Sequence, residues 1–302
     1  MLVVVRGLAA PALDALHESV DVRLRGVRVG LHRGRNVATD FTLLERAAPF
    51  VHRVQRSTLT LVFEGSGRVD EAGRQRWMRE GEMVTSDANR GGTEAYAGVV
   101  TSRLVVDWDP EIIGARISGP CAIDRVREPE RARLRGAARR LASDRPYEAA
   151  ADVLAILRAL GMPFGELEPE AVTADFASLS AALHARLSRL EAQPDMEELA
   201  DELRWNRKRV TRRLATMADH YALPWTHWRT ALHSARMLHA MRLLAAPGAT
   251  TELVARLAGF RAPAALCHAF AEAGWPSPGA LARAARGEAL VAWTGTTLAR
   301  ST

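Results

Sequence analysis

The sequence predicts an α+β protein: a β-rich N-terminal half, a helical connector, and an all-α C-terminal region with two helix-turn-helix units. Three observations predict this class. Short β-branched and apolar runs, separated by glycines, fill roughly the first 120 residues. Apolar residues then recur at helical spacing from about residue 128. Between residues 195 and 286, a short capped helix followed by a turn and a second helix occurs twice.

The length of 302 residues favours more than one domain, because a single hydrophobic core seldom organises so long a chain. We divide it into residues 1–120, 121–194 and 195–286, with a tail at 287–302. No run of 18 or more apolar residues occurs, and the apolar run Met1–Val5 is too short for a signal sequence. We therefore expect a cytoplasmic protein with no membrane partner.

The strand predictions lie in the first of these regions. The clearest runs are Ser57–Phe63 and Arg103–Asp109, and shorter apolar runs lie at Leu43–Leu44 and Val51–Val54. Glycines punctuate the segments between them, for example at Gly91-Gly92. Short strands with regularly spaced turns are typical of a β-sandwich or a β-barrel.

The connector contains helical patterns interrupted by prolines and glycines. After Pro169, leucines at positions 179, 183, 187 and 190 form one apolar stripe that ends before Pro194. Such a stripe is more often part of a core than a partner interface, and two heptads are too few to identify a zipper. Core packing and a role in dimerisation both remain open from the sequence.

The first helix-turn-helix unit begins with Met196–Leu203, whose first turn is acidic, as the helix dipole prefers. Asn206 is a good N-cap for a second helix, which opens at Arg207 and turns Val210, Leu214 and Met217 inward. The second helix of such a unit enters the major groove of DNA. The candidate DNA-contacting residues here are Asn206, Arg207, Lys208, Arg209, Thr211, Arg212 and Arg213.

The charge distribution supports a polyanionic partner for this region. The whole chain carries a formal net charge of +6, and residues 195–286 hold thirteen Arg or Lys against eight Asp or Glu, a surplus of five. Cations crowded on one helix repel one another unless a polyanion neutralises them. The alternative is a solvated charged helix on the surface of a stable domain.

The pattern repeats in the second unit. Thr250–Leu257 is a capped short helix, Ala258–Phe260 a turn, and Pro263–Ala273 the following helix. Between the two units, Trp228–Leu244 has the apolar spacing of a single helix, which Pro247-Gly248 ends.

The ordered spacing of residues in this region resembles the AraC/XylS family of bacterial transcription regulators. The resemblance covers roughly Met196 to Arg286 and is far more selective than a lone helix-turn-helix. The residues that carry it are Leu199, Ala200, Arg236, Ala240, Leu243, Leu244, Val254, Ala255, Gly259, Phe260, Phe270 and Pro278.

The resemblance implies a transcription regulator, such as an activator, whose partner is double-stranded DNA. Its two recognition helices would enter successive major grooves, roughly 34 Å apart. It further implies a cupin-like N-terminal barrel that binds a small-molecule effector or mediates dimerisation, a homodimer on paired sites, and contact with RNA polymerase if the protein is an activator. No cofactor is implied. A barrel filled by its own side chains and serving only for assembly remains an alternative.

The chain departs from the family pattern in the second recognition helix, which is rich in alanine. This helix offers only Arg261 and His268 as polar groups. We therefore expect the first unit to read the DNA sequence, and the second to contribute phosphate contacts and apolar contacts with thymine methyl groups.

Enzymatic alternatives lack their ligands. A metal-dependent cupin enzyme would need clustered histidines, but the β-rich half offers only His17, His32 and His52, with no H-x-H pair. A zinc-dependent DNA repair protein would need a cysteine cluster, and the chain has only Cys121 and Cys267. We expect no enzymatic activity, and keep as the alternative a cupin-type enzyme or ligand-binding protein with a non-specific DNA-binding appendage.

Overall fold

The computed structural model describes residues 2–35, 37–40, 57–71, 74–87, 93–96, 100–113, 122–162, 164, 173–221, 223 and 225–285. Strands predominate up to Arg125 and only helices follow in the described ranges, which confirms the predicted α+β class. Several predictions fall outside them, namely the runs Leu43–Leu44 and Val51–Val54, Gly91-Gly92, His52, Cys121, Pro169 and the tail 287–302.

The described strands form two antiparallel sheets. The larger sheet has the order β1-β2-β3-β10-β5-β8-β11, and the smaller has the order β4-β9-β6-β7. The strands are β1 (Leu2–Ala10), β2 (Ala15–Leu24), β3 (Val27–Arg35), β4 (Val37–Asp40), β5 (Ser57–Glu64), β6 (Ser66–Glu71), β7 (Arg74–Arg79), β8 (Glu82–Asp87), β9 (Thr93–Tyr96), β10 (Thr101–Trp108) and β11 (Ala122–Arg125).

The two clearest strand predictions are confirmed as β5 and β10, which pair with each other in the larger sheet. Strands β1 to β3 were not among the predicted runs. Apolar and polar residues do alternate over Val20–Leu24 of β2 and Val27–His32 of β3, and in β2 the structure buries Asp21 and Arg23 as well as Val22 and Leu24. Strand β11 pairs with β8, so the sheet continues past the predicted boundary at residue 120.

One face of the larger sheet is apolar and is covered by two helices of the predicted connector. After the short α1 (Pro110–Ile113), these are α2 (Glu128–Arg139) and α3 (Pro146–Ala159). Leu134 of α2 and Leu154 of α3 pack in one buried cluster with strand residues such as Leu61 of β5. The helices therefore complete the core of the β region, in addition to linking it to the C-terminal region.

The helices of the C-terminal region agree closely with the predicted ranges. Thr173 caps α4 (Ala174–Leu187), which is followed by a 3-10 turn, Leu190–Ala192. The remaining helices are α5 (Met196–Leu203), α6 (Arg207–His220), α7 (Trp228–Leu244), α8 (Thr251–Leu257), α9 (Pro263–Glu272) and α10 (Pro278–Ala285). Helices α5 and α7 have the predicted bounds, and Asn206 and Thr250 are the N-caps of α6 and α8, as predicted.

The leucine stripe of α4 packs within the chain. Leu179 and Leu183 are buried with Phe176 in a cluster that includes residues of α5 and α6, and Leu187 packs against that cluster. Leu190 is fully buried in the 3-10 turn. Of the two alternatives for the stripe, the structure therefore favours core packing.

The β region and the helical region contact each other through the connection between β1 and β2. Ala10, Leu13 and Ala15 are buried in the same cluster as Met237 and Met241 of α7. Helix α4 also contacts β1. Within the described ranges, no helix is both long enough and apolar enough to cross a membrane.

Candidate nucleic-acid interface

The turn of the first helix-turn-helix unit is a left-handed cap at the end of α5. At the start of that helix, the Asp195 carboxylate accepts a hydrogen bond from the Glu198 amide at 2.8 Å. The helix ends at Arg204, whose φ is 53°, and the Trp205 amide donates to the Ala200 carbonyl at 2.9 Å. This hydrogen bond closes the turn that leads into α6.

The second unit repeats this turn with a glycine. At Gly259 φ is 76°, and the Phe260 amide donates to the Ala255 carbonyl at 2.8 Å. Arg204 in the first unit and Gly259 in the second therefore hold the same left-handed position. Only glycine adopts this conformation without a steric penalty, so Arg204 is strained where Gly259 is not.

Helix α6 turns its predicted apolar face inward. Val210, Leu214 and Met217 are all buried. The Asn206 side chain accepts a hydrogen bond from the Arg209 amide at 2.8 Å, so its oxygen serves as the helix cap.

The structure divides the cations of α6 into two groups. Three of them form ion pairs within the chain: Arg207 with Glu197 at 2.7 Å, and both Arg209 and Arg213 with Asp175 of α4, at 3.0 and 2.8 Å. The Arg209 guanidinium also lies over the Trp205 ring, 4.5 Å from its centroid.

The remaining cations of α6, Lys208 and Arg212, are exposed, and together with the exposed Thr211 they form what we call the exposed face of α6. These three side chains make no hydrogen bond or ion pair with any residue in the described part of the chain. Spacings of three and four residues place them on one face of the helix. This exposed face of α6 is therefore the part of the first unit that is free to contact a ligand.

Helix α9, the second helix of the second unit, has few polar groups, as predicted. Its exposed residues include Ala264, Ala265, Cys267 and His268, and the His268 ring lies 3.3 Å from the Glu272 carboxylate. Arg261 is exposed just before the helix, beside a shallow groove of about 430 Å³ that Arg256 also lines. This surface can therefore make apolar contacts with a ligand, and it carries only a few separated charges.

Side-chain hydrogen bonds connect the second unit to the segment that precedes the first unit. The side-chain NH2 group of Gln193 donates a hydrogen bond to the Gly259 carbonyl at 2.8 Å. Arg236 of α7 donates to the side-chain oxygen of Gln193 at 2.9 Å. A methyl group at Gly259 would lie 2.4 Å from the Leu190 carbonyl oxygen. The sequence marked Arg236 and Gly259 through the family resemblance, but it gave no signal for Gln193 or Leu190, their partners. We call this arrangement the Gln193 contact.

The other residues of the family resemblance are structural. Pro278 begins α10, and Phe260 is half-buried against the core of the second unit. The remaining members are buried, namely Leu199 and Ala200 in the first unit, and Ala240, Leu243, Leu244, Val254, Ala255 and Phe270 around the second.

A second candidate site lies on the polar face of the larger sheet. Alternation along β2 places His17, Ser19 and Asp21 on one face of that strand, and all three are buried. His32 of β3 lies 3.0 Å from the Asp21 carboxylate, and its ring centroid is 5.5 Å from that of His17.

Several buried polar atoms on this face have no hydrogen-bond partner among the described residues, among them Nε2 of His17, Oγ of Ser19 and Nδ1 of His32. Burial, together with the charge of Arg242 on α7, lowers the pKa of His17 well below its usual value. Burial lowers the pKa of His32 to about 4. Both rings are therefore neutral at pH 7. Buried polar atoms of this kind normally have a partner such as water or a ligand.

Across the described ranges, no group of three or more His, Cys, Asp or Glu side chains is arranged to hold a metal ion.

Comparisons with known proteins give only distant neighbours. No family model and no curated protein matches the chain. Among solved structures, the AraC-like transcriptional activator CuxR has 13% identity and a TM-score of 0.35, over 79% of this chain and 86% of that one. ToxT from Vibrio cholerae has 11% identity and a TM-score of 0.34, over 82% and 93%. A variant oxalate decarboxylase from Bacillus subtilis has 17% identity and a TM-score of 0.24, over 32% and 26%. These TM-scores are too low to transfer a function.

We predict that Arg204→Gly stabilises the protein, because glycine removes the left-handed strain. The expected gain in the free energy of unfolding is roughly 0.5–1 kcal/mol, since the left-handed penalty exceeds the extra backbone entropy of glycine. Urea denaturation of the full chain measures it. Arg204→Ala is the control, because it removes the side chain and keeps the strain. Equal stabilities for the two variants would show that Arg204 is not strained.

We predict that Gly259→Ala lowers the free energy of unfolding by at least about 2 kcal/mol, because a left-handed alanine is strained and its methyl group would collide with a backbone carbonyl. Gly248→Ala is the matched control. Gly248 also has a positive φ, 72°, but a methyl group there would meet no described atom within 4 Å. Urea denaturation compares the two variants, and equal losses would mean that the Gln193 contact imposes no steric constraint.

Proposed function

We propose that the chain is a sequence-specific DNA-binding transcription regulator of the AraC/XylS kind. The observation that carries this proposal is the exposed face of α6, formed by Lys208, Thr211 and Arg212. A hydrogen bond closes the turn before this helix, and the opposite face of the helix is buried in the core. An α-helix fits the major groove of B-DNA, and Arg or Lys pairs with the guanine atoms O6 and N7. A protein of this function acts in the cytoplasm of a bacterium.

The two units have different tasks in this proposal. The first reads bases through the exposed face of α6. The second presents the alanines of α9 to thymine methyl groups and anchors Arg261 on a phosphate, because it has few donors for base edges. His268 is a weaker candidate, since Glu272 lies beside it and competes for its ring.

The proposed partners follow from the same geometry. A homodimer suits paired half-sites on DNA, because the two-fold symmetry of the protein then matches that of the operator. RNA polymerase is a further partner if the regulator is an activator.

The polar face of the larger sheet supports control by a small effector. His17, Ser19 and His32 would supply hydrogen bonds to a hydrophilic ligand, and a polar face of this kind suits a small polar molecule better than a long hydrocarbon chain. Arg242 acts electrostatically on His17 and belongs to α7, the helix between the two DNA-binding units. A ligand at this face would therefore lie close to the DNA-binding region.

The function is tested by selecting bound sequences from random duplex DNA with the full chain at two salt concentrations, because non-specific phosphate binding weakens steeply as salt rises. Enrichment of a motif that persists at the higher salt supports a sequence-specific regulator. Binding without any enrichment would support the alternative of a non-specific DNA-binding appendage. Absence of binding at both concentrations would contradict the proposal.

We predict that Arg212→Ala weakens binding to the selected duplex by about 10- to 100-fold, the value of one bidentate base contact. His268→Ala is expected to change the affinity by less than about threefold, because this ring has a competing carboxylate beside it. Fluorescence anisotropy titrations measure both affinities. Equal losses in the two variants would contradict the division of tasks between the units.

We predict that an effector raises the midpoint of thermal unfolding of the wild-type chain by several degrees, because a ligand that binds only the folded state stabilises it. A panel of sugars and small carboxylic acids is the probe, and Ser19→Ala is the matched variant expected to lose the shift. If no member of the panel shifts the midpoint, the β region serves assembly only and its polar face is filled by the protein itself.

A further inference from the structure

Asp175 joins a helix outside the two units to the recognition helix of the first. It lies in the first turn of α4, and its two carboxylate oxygens contact Arg209 at 3.0 and 3.3 Å. Oxygen Oδ2 also pairs with Arg213 at 2.8 Å. One carboxylate therefore holds two of the cations that the sequence analysis assigned to DNA.

We propose that Asp175 lowers the affinity of the chain for DNA of any sequence by withholding Arg209 and Arg213 from the phosphate backbone. The inference rests on the proposed function and names a residue outside both helix-turn-helix units. With these two arginines engaged, binding by α6 depends on the exposed face formed by Lys208, Thr211 and Arg212.

The chemistry of the contact supports competition with DNA. A carboxylate between two guanidinium groups occupies the position that a phosphate would take, since both anions accept hydrogen bonds from arginine in the same geometry. Partial burial by itself would raise the pKa of Asp175, but hydrogen bonds and charges from Arg209 and Arg213 bring it below its usual range. Asp175 therefore stays ionised at the pH of the cell and holds both cations.

The effect on affinity follows from the different roles of phosphate and base contacts. Phosphate contacts strengthen binding to every sequence equally, whereas base contacts strengthen binding only to the right one. Each phosphate that a cation neutralises makes the slope of log affinity against log salt more negative by about 0.9. Two withheld arginines therefore weaken binding to all sequences and leave base reading untouched.

Asp175 is not needed to attach α4 to the first unit. Phe176, Leu179 and Leu183 of α4 are already buried against α5 and α6, so apolar packing holds the helix in place. Removing the charge of Asp175 is therefore expected to leave the fold intact.

The test is Asp175→Asn, which keeps the shape of the side chain and removes its charge. Affinity of the full chain is measured by anisotropy over a series of salt concentrations, for the selected duplex and for a scrambled duplex of equal length. We expect the salt slope to become more negative by about one to two, because one or two further phosphate contacts form. Affinity for both duplexes should rise several-fold, and the ratio of selected to scrambled affinity should stay unchanged, because phosphate contacts strengthen binding to both equally.

Glu202→Gln is the matched control. It removes one negative charge from the same unit, but Glu202 pairs with Arg186 of α4, at 2.9 Å, and with none of the arginines of α6. This variant should keep the wild-type slope. An unchanged slope in Asp175→Asn would overturn the inference, and so would equal changes in the two variants, which would reflect net charge alone.

A second variant tests the inference from the other side, in case Asp175→Asn fails to fold. Arg209→Gln with Arg213→Gln should leave the wild-type salt slope nearly unchanged, because these cations are withheld from DNA. A slope less negative by about two would show that both contact phosphates. If the wild-type chain binds neither duplex, the proposed function itself fails, which is a different result from an unchanged slope in the variants.

Discussion

The arrangement of the two helix-turn-helix units depends on the Gln193 contact. Gln193 lies just before the first unit, yet its side chain binds the backbone of Gly259 in the turn of the second, and Arg236 of α7 binds it in turn. A side chain at Gly259 would collide with the Leu190 carbonyl. One glycine and one glutamine thus bring together the start of the first unit, the central helix and the turn of the second. Two recognition helices can read successive grooves only if their separation is fixed in this way.

The two units differ in the charged groups that they expose. The first combines an exposed cationic face on α6 with two further arginines that Asp175 holds in place. The second presents alanines and few charges. The β region contacts this assembly in two places: α4, which carries Asp175, lies against β1, and the connection between β1 and β2 packs on α7. A conformational change in the β region would therefore act on both α7 and α4, the helix whose Asp175 pairs with two arginines of the first unit.

Elements with strong local signals were predictable from the sequence. Helices α5 and α7 have the predicted bounds because helix caps and apolar periodicity are local signals. Each helix and its flanking residues contain both of them. Strands β1 to β3 were missed, although Val20–Leu24 of β2 and Val27–His32 of β3 do alternate apolar and polar residues. The engagement of Arg209 and Arg213 was also missed, since Asp175 is distant along the chain and local patterns do not show which charges pair. The partner of Gly259 could not be found for the same reason.

The most direct test of the account is a hydroxyl-radical footprint of the full chain on a selected duplex, because this probe reports backbone contacts whether or not bases are read. The account predicts two protected segments on one face of the duplex, with centres about one helical turn, or roughly 10 base pairs, apart. Replacing Gly259 by alanine should weaken the second segment. A single protected segment in the wild-type chain, or two segments on opposite faces of the duplex, would contradict the claim that the Gln193 contact fixes both units for joint binding.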